Sequence, residues 1–482
     1  MLQNPPVFLK SKVINILSSF SAKDIRRFGE MVESPFFNKN RKINLLYYEL
    51  IKKHPNYLKQ DKHILFSTVY GKDKKFNDSL LRALVSDLVK LIDTYLEYTS
   101  FEKRPRLRTT NLLNALHQRR LYFHFEKRLN TILKKIEKAP YKDASFYYYQ
   151  FQVELESYRY TTITNNRAKR SSLQEVVNNL DIYYLAEKLK YSAIALNRQR
   201  IIGKYDLKLI DELLSYLERD QQFLNIPFIR LYHGVVLMLK DFDNDQYYYQ
   251  FKADLQSFES ELPIVELRFL YTLLLNYARW KIYAGKSEFL GESFHVYRFI
   301  LKKPILTEDN RISHHHYRNI VNIAIDLSEY EWARQFMDEY KEKVVEALRE
   351  NVYAYNMAAL QFARQQYLEA LDYLRMIQFS DVEFIDFYYH LYYKTLMIQT
   401  AFELSEVELL MSNLESFRLY LLRHDDIPKN MKDTYSNFIR LARKLANIKF
   451  SYRQFSPELL AEIENTRPLI NSGWLHLTAT NL

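Results

Sequence analysis

The sequence contains no cysteine and only 7 glycines among 482 residues. Without cysteine the chain forms no disulfide, has no thiolate nucleophile and lacks the ligands of the commonest structural zinc sites. A sheet protein of this length needs many more glycines in its turns, so the composition favours an almost wholly helical chain. The 12 prolines stand where helices are expected to begin or end, for example Pro105, Pro140, Pro263, Pro304 and Pro457.

Long apolar runs are also missing. No stretch of about 18 apolar residues is present, which is the length a membrane-spanning helix needs. The N-terminal sequence MLQNPPVFLKSKVINIL lacks the basic start and continuous apolar run of a signal peptide. We therefore expect a soluble, cytoplasmic protein without contact to a membrane.

The charge is unevenly distributed. Residues 1 to 140 carry 28 of the 69 Lys and Arg residues but only 13 of the 58 Asp and Glu residues, a net charge of +15. The other 342 residues hold 41 basic against 45 acidic side chains, a net charge of −4. This asymmetry indicates either a polyanionic partner for the basic part or simply well-solvated helix faces.

Hydrophobic periodicity predicts helices along the whole chain. The first three are expected at residues 7 to 19, then from the N-cap Ser21 to just before Ser34-Pro35, and at 39 to 54. A long helix is expected from 77 to 101, with an apolar stripe from Leu81 to Tyr95. Further helices are predicted at 109–121, 122–138, 142–160, 170–201, 206–220, 226–241, 245–260, 264–284, 287–301, 311–328, 382–402, 405–423 and 429–449.

The stretch NVYAYNMAALQFARQQYLEALDYLRMIQF, residues 351 to 379, reads as two short amphipathic helices packed face to face. Small residues at Ala358 and Ala370 allow the two helices to cross closely. The pattern resembles a tetratricopeptide repeat. The residues that carry the resemblance are Tyr355, Asn356, Met357, Ala358, Phe362, Tyr367, Glu369, Ala370, Leu371 and Leu374.

A looser copy precedes it, and its matching residues are Ile320, Val321, Tyr330, Ala333, Phe336 and Met337. Ala333 and Ala370 are 37 residues apart, against a usual period of about 34. The resemblance covers about two repeats, residues 311 to 379, and implies an all-α, right-handed α-α solenoid of antiparallel helix pairs. We expect a basic helical N-terminal domain at 1–104, the solenoid at 105–456 and a C-terminal cap at 457–482.

Two further likenesses concern the N-terminal region. The block ESPFFNKN, residues 33 to 40, resembles one in a group of uncharacterised bacterial helical proteins. LRALVSDLVKLI at 81–92, with VYGK at 69–72, is similar to the last helices of a winged-helix domain in bacterial activators. That likeness implies DNA reading, although the expected glycine-containing hairpin is replaced by KRPRLR at 103–108, which we interpret as a hinge loop.

Patterns that point to chemistry are few. Glu292 and His295 have the Glu-x-x-His spacing of di-iron bundles, but such a site needs two of these motifs and two further Glu residues. His314, His315 and His316 are consecutive, so on a helix they point in different directions. Asp386 and His390 form either an acid and base pair or an ordinary i,i+4 pair. We predict no metal, no cofactor and no enzyme activity.

The favoured function is that of an interaction scaffold that holds a peptide or protein segment on the concave face of the helical array. In tetratricopeptide repeats this face comes from the first helix of each pair. The matching residues predicted here to contact a peptide are Arg318, Asn319, Asn322, Tyr355, Asn356, Phe362 and Lys394. Two asparagines at equivalent positions, Asn319 and Asn356, are expected to hydrogen-bond the peptide backbone. Arg318 and Lys394 add attraction for an acidic segment or a terminal carboxylate.

The alternative is a nucleic-acid-binding or regulatory protein that uses its basic first 140 residues, with the solenoid as sensor. Phosphate contacts make affinity fall steeply with salt, which separates this reading from peptide binding. The candidate phosphate contacts are Lys103, Arg104, Arg106, Arg108, Arg119 and Arg120.

Overall fold

The structure is a computed structural model that describes residues 12–55, 57, 61–163, 172–200, 203–378, 387–450 and 457–482. Of these residues, 79% are helical. Within the described part of the chain, no helix is both long and apolar enough to cross a membrane. The chain divides into two compact units, residues 1–184 and 185–482.

In its described residues, the first unit contains eight helices and the beginning of a ninth. Their bounds are α1 Lys12–Ser18, α2 Ala22–Glu33, α3 Arg41–Ile51, α4 Lys62–Tyr70, α5 Asp78–Glu102, α6 Pro105–Gln118, α7 Tyr122–Glu137, α8 Ala144–Ile163 and α9 Ser172–Gln199. The boundary between the units falls inside α9. The expected boundary at residue 104 lies between α5 and α6, inside the first unit.

Helices α1 to α5 share one hydrophobic core. Ser21 opens α2 with a capping box, in which its hydroxyl accepts from the Asp24 amide and the Asp24 carboxylate accepts from the Ser21 amide. The predicted bounds of α2 are confirmed. The predicted stripe of α5 is also confirmed, since Leu81, Leu84, Leu88, Leu91 and Tyr95 are all buried.

The interpretation of KRPRLR as a hinge loop was wrong. Only Lys103 and Arg104 separate α5 from α6, because Pro105 occupies the first position of α6. Proline is favoured there because its missing N–H would have no partner in the helix and its fixed φ suits the first turn. The basic segment is therefore a tight corner between two helices.

The second unit continues with fourteen helices and a small hairpin in its described residues. The helices are α10 Ile210–Arg219, α11 Pro227–Lys240, α12 Gln246–Ser257, α13 Ile264–Tyr283, α14 Glu288–Leu301, α15 His314–Asp326, α16 Tyr330–Tyr340, α17 Glu346–Ala363, α18 Tyr367–Met376, α19 Phe387–Glu403, α20 Val407–Arg423, α21 Lys429–Phe450, α22 Pro457–Asn465 and α23 Ser472–Thr480. Short 3-10 helices lie at Gln221–Asn225, Glu259–Glu261 and Lys341–Lys343.

Most of these helices pack in neighbouring pairs, namely α11 with α12, α13 with α14, α15 with α16, α17 with α18 and α19 with α20. Short turns join the partners, so they run antiparallel. Ala358 and Ala370, predicted to allow close crossing of α17 and α18, are both fully buried. This packing of neighbouring helices in pairs is compatible with a helical repeat.

The same turn recurs in four consecutive pairs, centred on Gly285, Ser328, Gln365 and Ser405, which have φ values of 90°, 60°, 62° and 60°. After each of them, the next amide donates to the carbonyl five residues back, as from Glu329 to Ala324 at 2.8 Å and from Gln366 to Gln361 at 2.9 Å. This hydrogen-bond pattern ends a helix at a left-handed residue. The turns are 43, 37 and 40 residues apart, longer than the expected period of about 34.

A short β-hairpin was not foreseen. Strand β1, Thr307–Glu308, pairs antiparallel with β2, Arg311–Ile312, so α15 begins at His314 and not at residue 311. Asp309 and Asn310 turn the chain with φ values of 48° and 61°, which a two-residue hairpin requires. Arg268 fixes the hairpin by donating to the carbonyls of Ile305 and Thr307, each at 2.7 Å.

The C-terminal helices complete the last core of this unit. Leu459, Ile463 and Leu475 are buried in one cluster with α19, α20 and α21. Trp474 donates from its indole N–H to Glu403 at 2.8 Å and packs edge-on against Phe402. The segment from 457 therefore covers the apolar side of the preceding helices, as a terminal cap does.

Candidate functional site

The first helices of successive pairs in the second unit meet on one side. Tyr389 of α19 donates its hydroxyl hydrogen to the carbonyl of His314, the first residue of α15, at 3.1 Å. Helices α15 and α19 thus touch although a complete pair, α17 and α18, lies between them in sequence. Tyr283 of α13 is within electrostatic range of Tyr392 in α19 and of Tyr435 in α21.

We name the region formed by Tyr283, Arg318, Asn322, Tyr388 and Tyr392 the inner surface. Tyr283 is 78% exposed, and the other four side chains are half-buried. Beneath them, Tyr355, Tyr389 and Tyr435 are buried, each at most 6% exposed. The inner surface therefore consists of amphipathic tyrosines, one amide and one cation over an aromatic layer.

Arg318 occupies the middle of this surface. Its guanidinium carbon lies 3.5 Å from the centre of the Tyr392 ring, a close cation–π contact. The guanidinium also adjoins Tyr355 and Tyr389. Among the residues that the structure describes, no carboxylate pairs with Arg318, and its Nε has no hydrogen-bond acceptor.

Asn356, predicted to contact a bound peptide, lies in the interior of the unit. The side chain is fully buried, and its Nδ2 donates to the Val352 carbonyl at 2.7 Å. Tyr355 was also placed on the groove wall, but it is 6% exposed and packs edge-on against Tyr389. Both residues lie below the inner surface because α15 and α19 close over α17.

Lys394 and Phe362 also lie away from the predicted position. The Lys394 ammonium donates to the Ser416 hydroxyl at 3.0 Å and sits over Tyr420, so it faces α20. Burial there lowers the pKa of Lys394. Phe362 packs against Tyr367 at the turn from α17 to α18. Of the seven predicted peptide contacts, Tyr355 and Asn356 are buried and the other five are partly accessible.

Asn319 faces the preceding pair. Its side chain hydrogen-bonds the hydroxyl of Tyr297 in α14, whose pKa rises to about 12, chiefly because of burial. Asn322 is half-buried one helical turn beyond Arg318. Asn322 is therefore better placed than Asn319 to contact a ligand.

The residues considered as metal ligands or catalytic groups make contacts within the fold. Glu292 forms an ion pair with Lys252. His314 to His316 form the first turn of α15, where the amide of His316 donates to the Ser313 hydroxyl at 3.2 Å. Burial, and then the nearby His315 and Arg268, lower the pKa of His316 to about 4. The described residues include no cluster of three potential metal ligands.

The predicted acid and base pair is only partly described, because Asp386 lies outside the described residues. His390 stacks on Tyr420 with ring centres 5.4 Å apart. Burial, with smaller effects of Lys394 and His424, lowers its pKa to about 4.

The six predicted phosphate contacts do not form one patch. Lys103, Arg104 and Arg108 lie at the start of α6, whereas Arg119 and Arg120 follow its end. A helix of 14 residues is roughly 20 Å long, which separates the two groups. Arg106 makes contacts within the fold, since its guanidinium pairs with Asp143 at 3.7 Å and donates to the Ser145 hydroxyl at 2.7 Å.

Sequence reasoning named Arg318 but missed the tyrosines of α19 that surround it. The signal was available in FYYHLYY, residues 387 to 393, where aromatic residues recur at spacings of three and four. Periodicity predicted only a helix over residues 382–402. These tyrosines surround an arginine because α19 contacts α15. The contact joins Arg318 and Tyr392, which are 74 residues apart in sequence.

Comparison with known proteins adds no assignment. No protein-family model matches the chain, no curated protein is significantly similar to it, and no solved structure matches its fold.

Proposed function

We propose that residues 185–482 form a non-catalytic interaction module that holds a peptide or protein segment on the inner surface. In this proposal the helix pairs form a right-handed α-α solenoid of the tetratricopeptide-like kind, with the inner surface on its concave side. The module acts as a scaffold or adaptor, and it needs no cofactor.

One observation carries the proposal, namely the stack of Arg318 on Tyr392 at 3.5 Å, with the ring centre of Tyr388 6.2 Å from that of Tyr392 and the exposed Tyr283 within electrostatic range of Tyr392. Tyrosine and arginine are the residues enriched at binding hot spots, because they combine a large contact area with polar tips. Tyr283 is 78% exposed, so the fold does not need its ring for packing. An extended segment laid across these rings would bury them and use the amide of Asn322.

The experiment is capture of partners by the tagged full chain from the native host, quantified by mass spectrometry. Tyr283→Ala should weaken capture of the partner at least tenfold, or about 1.4 kcal/mol, as expected for a hot-spot residue. Tyr205→Ala is the matched control, because Tyr205 is 42% exposed and lies elsewhere in the same unit. If no captured protein distinguishes Tyr283→Ala from the wild type, the inner surface is not the binding site.

The second candidate is nucleic-acid binding by the first unit. Helix α7 presents Lys134, Lys135 and Lys138 around an open cleft of about 490 Å³, together with Asn130 and Thr131. These lysines are exposed, and no ion pair in the described part of the chain engages them. Such uncompensated cations favour contact with phosphates.

The salt dependence of binding tests this second candidate. Changing Lys134, Lys135 and Lys138 to Gln in the full chain should flatten the slope of log affinity against log salt by about 2 to 3 units if all three contact phosphates. The same change at Lys103, Arg104 and Arg108 tests the start of α6, and the pair Arg119→Gln and Arg120→Gln tests its end. If the full chain binds neither duplex nor single-stranded nucleic acid at low salt, this candidate is excluded.

A further inference from the structure

Arg318 is a charged side chain that the described fold leaves without a counter-charge. It is half-buried, and its guanidinium stacks on Tyr392 at 3.5 Å. Stacking uses the face of the guanidinium and none of its five N–H donors, which point outward in its plane. Nε is buried and has no acceptor, the hydroxyl of Tyr355 hydrogen-bonds the guanidinium, and no carboxylate of the described residues pairs with it. The donors on the terminal nitrogens are therefore not held by a carboxylate of the described fold, and their geometry suits an oxyanion.

The buried tyrosines next to Arg318 strengthen a charge interaction between its guanidinium and a ligand. Tyr355, Tyr389 and Tyr435 are at most 6% exposed and form a nearly dry wall on the protein side of Arg318. A hydrogen bond between charged groups is stronger beside such a wall than in open water. Because the ring of Tyr392 holds the guanidinium in place, a ligand would bind donors that are already oriented.

Helix α13 carries a second arginine without a carboxylate partner in the described residues. Arg279 of α13 is half-buried, its Nε has no acceptor, and its recorded hydrogen bond is a long one of 3.4 Å to Asn276. Arg279 affects the pKa of Tyr297, whose hydroxyl is bonded to Asn319, the neighbour of Arg318. The two first helices α13 and α15 thus each carry an arginine without a carboxylate partner in the described residues.

The nearest acidic influence is weak. Asp326 lies eight residues beyond Arg318 on α15, roughly 12 Å along the helix axis, and is exposed. Asp326 therefore does not neutralise the guanidinium.

We propose that Arg318, stacked on Tyr392, binds an oxyanion, a carboxylate or phosphate group, carried by the segment held on the inner surface. This inference rests on the proposed function for the nature of the ligand. The planar fork of a guanidinium matches the two oxygens of either group. A purely structural role of Arg318 in joining α15 to α19 is the competing explanation.

Small anions test the site on the full chain without knowledge of the partner. Trifluoroacetate is the carboxylate probe, followed by the broadening of its ¹⁹F NMR line at constant ionic strength. Inorganic phosphate is the second probe, measured by its displacement of trifluoroacetate. Thermal unfolding of each variant without added anion shows whether the variant is folded.

Arg318→Gln should weaken binding of both probes at least tenfold. Arg318→Lys keeps the charge but loses the fork, so its binding should lie between that of Arg318→Gln and that of the wild type. Arg334→Gln is the matched control, because it removes the same charge from a half-buried arginine that pairs with Asp338 at 2.9 Å. It should leave binding within twofold. Stronger displacement by phosphate would identify a phosphorylated segment, and stronger binding of trifluoroacetate a carboxylate.

Two results would overturn the inference: absence of line broadening with the wild type, or equal broadening with folded Arg318→Gln. The outcomes for the proposed function are distinct. If Tyr283→Ala abolishes partner capture and Arg318→Gln does not, the interaction module stands and the oxyanion site falls. If the anions bind through Arg318 but Tyr283→Ala captures every partner normally, the oxyanion site stands and the proposed interaction module falls.

Discussion

A buried ion cluster in the second unit allows a quantitative prediction about stability. Lys281 is 1% exposed, and its ammonium lies 2.6 Å from the carboxylate of Asp245. The same carboxylate pairs with Lys286 and accepts from the hydroxyl of Tyr277 at 3.2 Å. Asp245 thus anchors the start of α12 to the end of α13.

Asp245→Asn keeps the volume of the side chain but leaves the buried ammonium of Lys281 without a counter-charge. Removing one partner of a buried pair typically costs 3 to 5 kcal/mol. Because the amide oxygen of Asn still accepts one hydrogen bond, we expect a loss of roughly 3 kcal/mol, near the lower end of that range. The measurement is the free energy of unfolding in urea, followed by circular dichroism.

A double variant separates charge from packing. Asp245→Asn combined with Lys281→Met replaces the ammonium by an apolar group of similar length, so it should recover at least half of the loss. Asp211→Asn is the control, because Asp211 and Lys240 form a more exposed pair, which is worth about 1 kcal/mol at most. A loss below about 1 kcal/mol for Asp245→Asn, or no recovery in the double variant, would refute the reasoning.

Three further predictions concern single positions. His316 has a pKa of about 4 in the fold against 6.5 when unperturbed, so the unfolded chain takes up its proton first as the pH falls. The contribution of His316 to the free energy of unfolding is full above pH 6.5 and declines towards pH 4 by at most about 3 kcal/mol. His316→Gln should reduce this decline when unfolding is measured over the acid pH range. Asn356→Ala should lower the free energy of unfolding by about 1 to 2 kcal/mol, while Asn322→Ala should change it by less than about 0.5 kcal/mol; the reverse order would contradict the burial. Gln365→Gly should raise the melting temperature, since glycine adopts its φ of 62° without the strain of up to about 1 kcal/mol, and a decrease would show that Gln365 has another role.

The helical architecture was largely predictable because local signals mark it. Ser21 and the pair Ser34-Pro35 bound α2 as predicted, and the long α5 was placed within a residue at each end. The start of α6 was misjudged because Pro105 was read as part of a loop, although proline favours the first helical position. The hairpin at 307–312 has strands of two residues, too short to show an alternating pattern.

The candidate site was much less predictable than the helices. Assigning Asn356 to a groove assumed that the first helix of each pair presents the same face to solvent. In the structure, the contact from Tyr389 to His314 brings α19 onto α15 and buries that face of α17. Periodicity within one helix contains no information on which helix of another pair will pack against it. Arg318 was named from its place in the repeat pattern, whereas its stacking partner Tyr392 depends on the packing of α19 against α15.

The recurring turn explains how a repeated architecture persists while its sequence pattern is weak. Each of the four turns needs one residue in the left-handed region and two carbonyl acceptors from the backbone, which every sequence supplies. Gly285, Ser328, Gln365 and Ser405 all meet this need, although only glycine adopts the conformation without strain. Spacings of 43, 37 and 40 residues further obscure a period. The pairs are thus alike in backbone geometry and differ in side chains, so the stack of Arg318 on Tyr392 is set by the side chains that α15 and α19 carry.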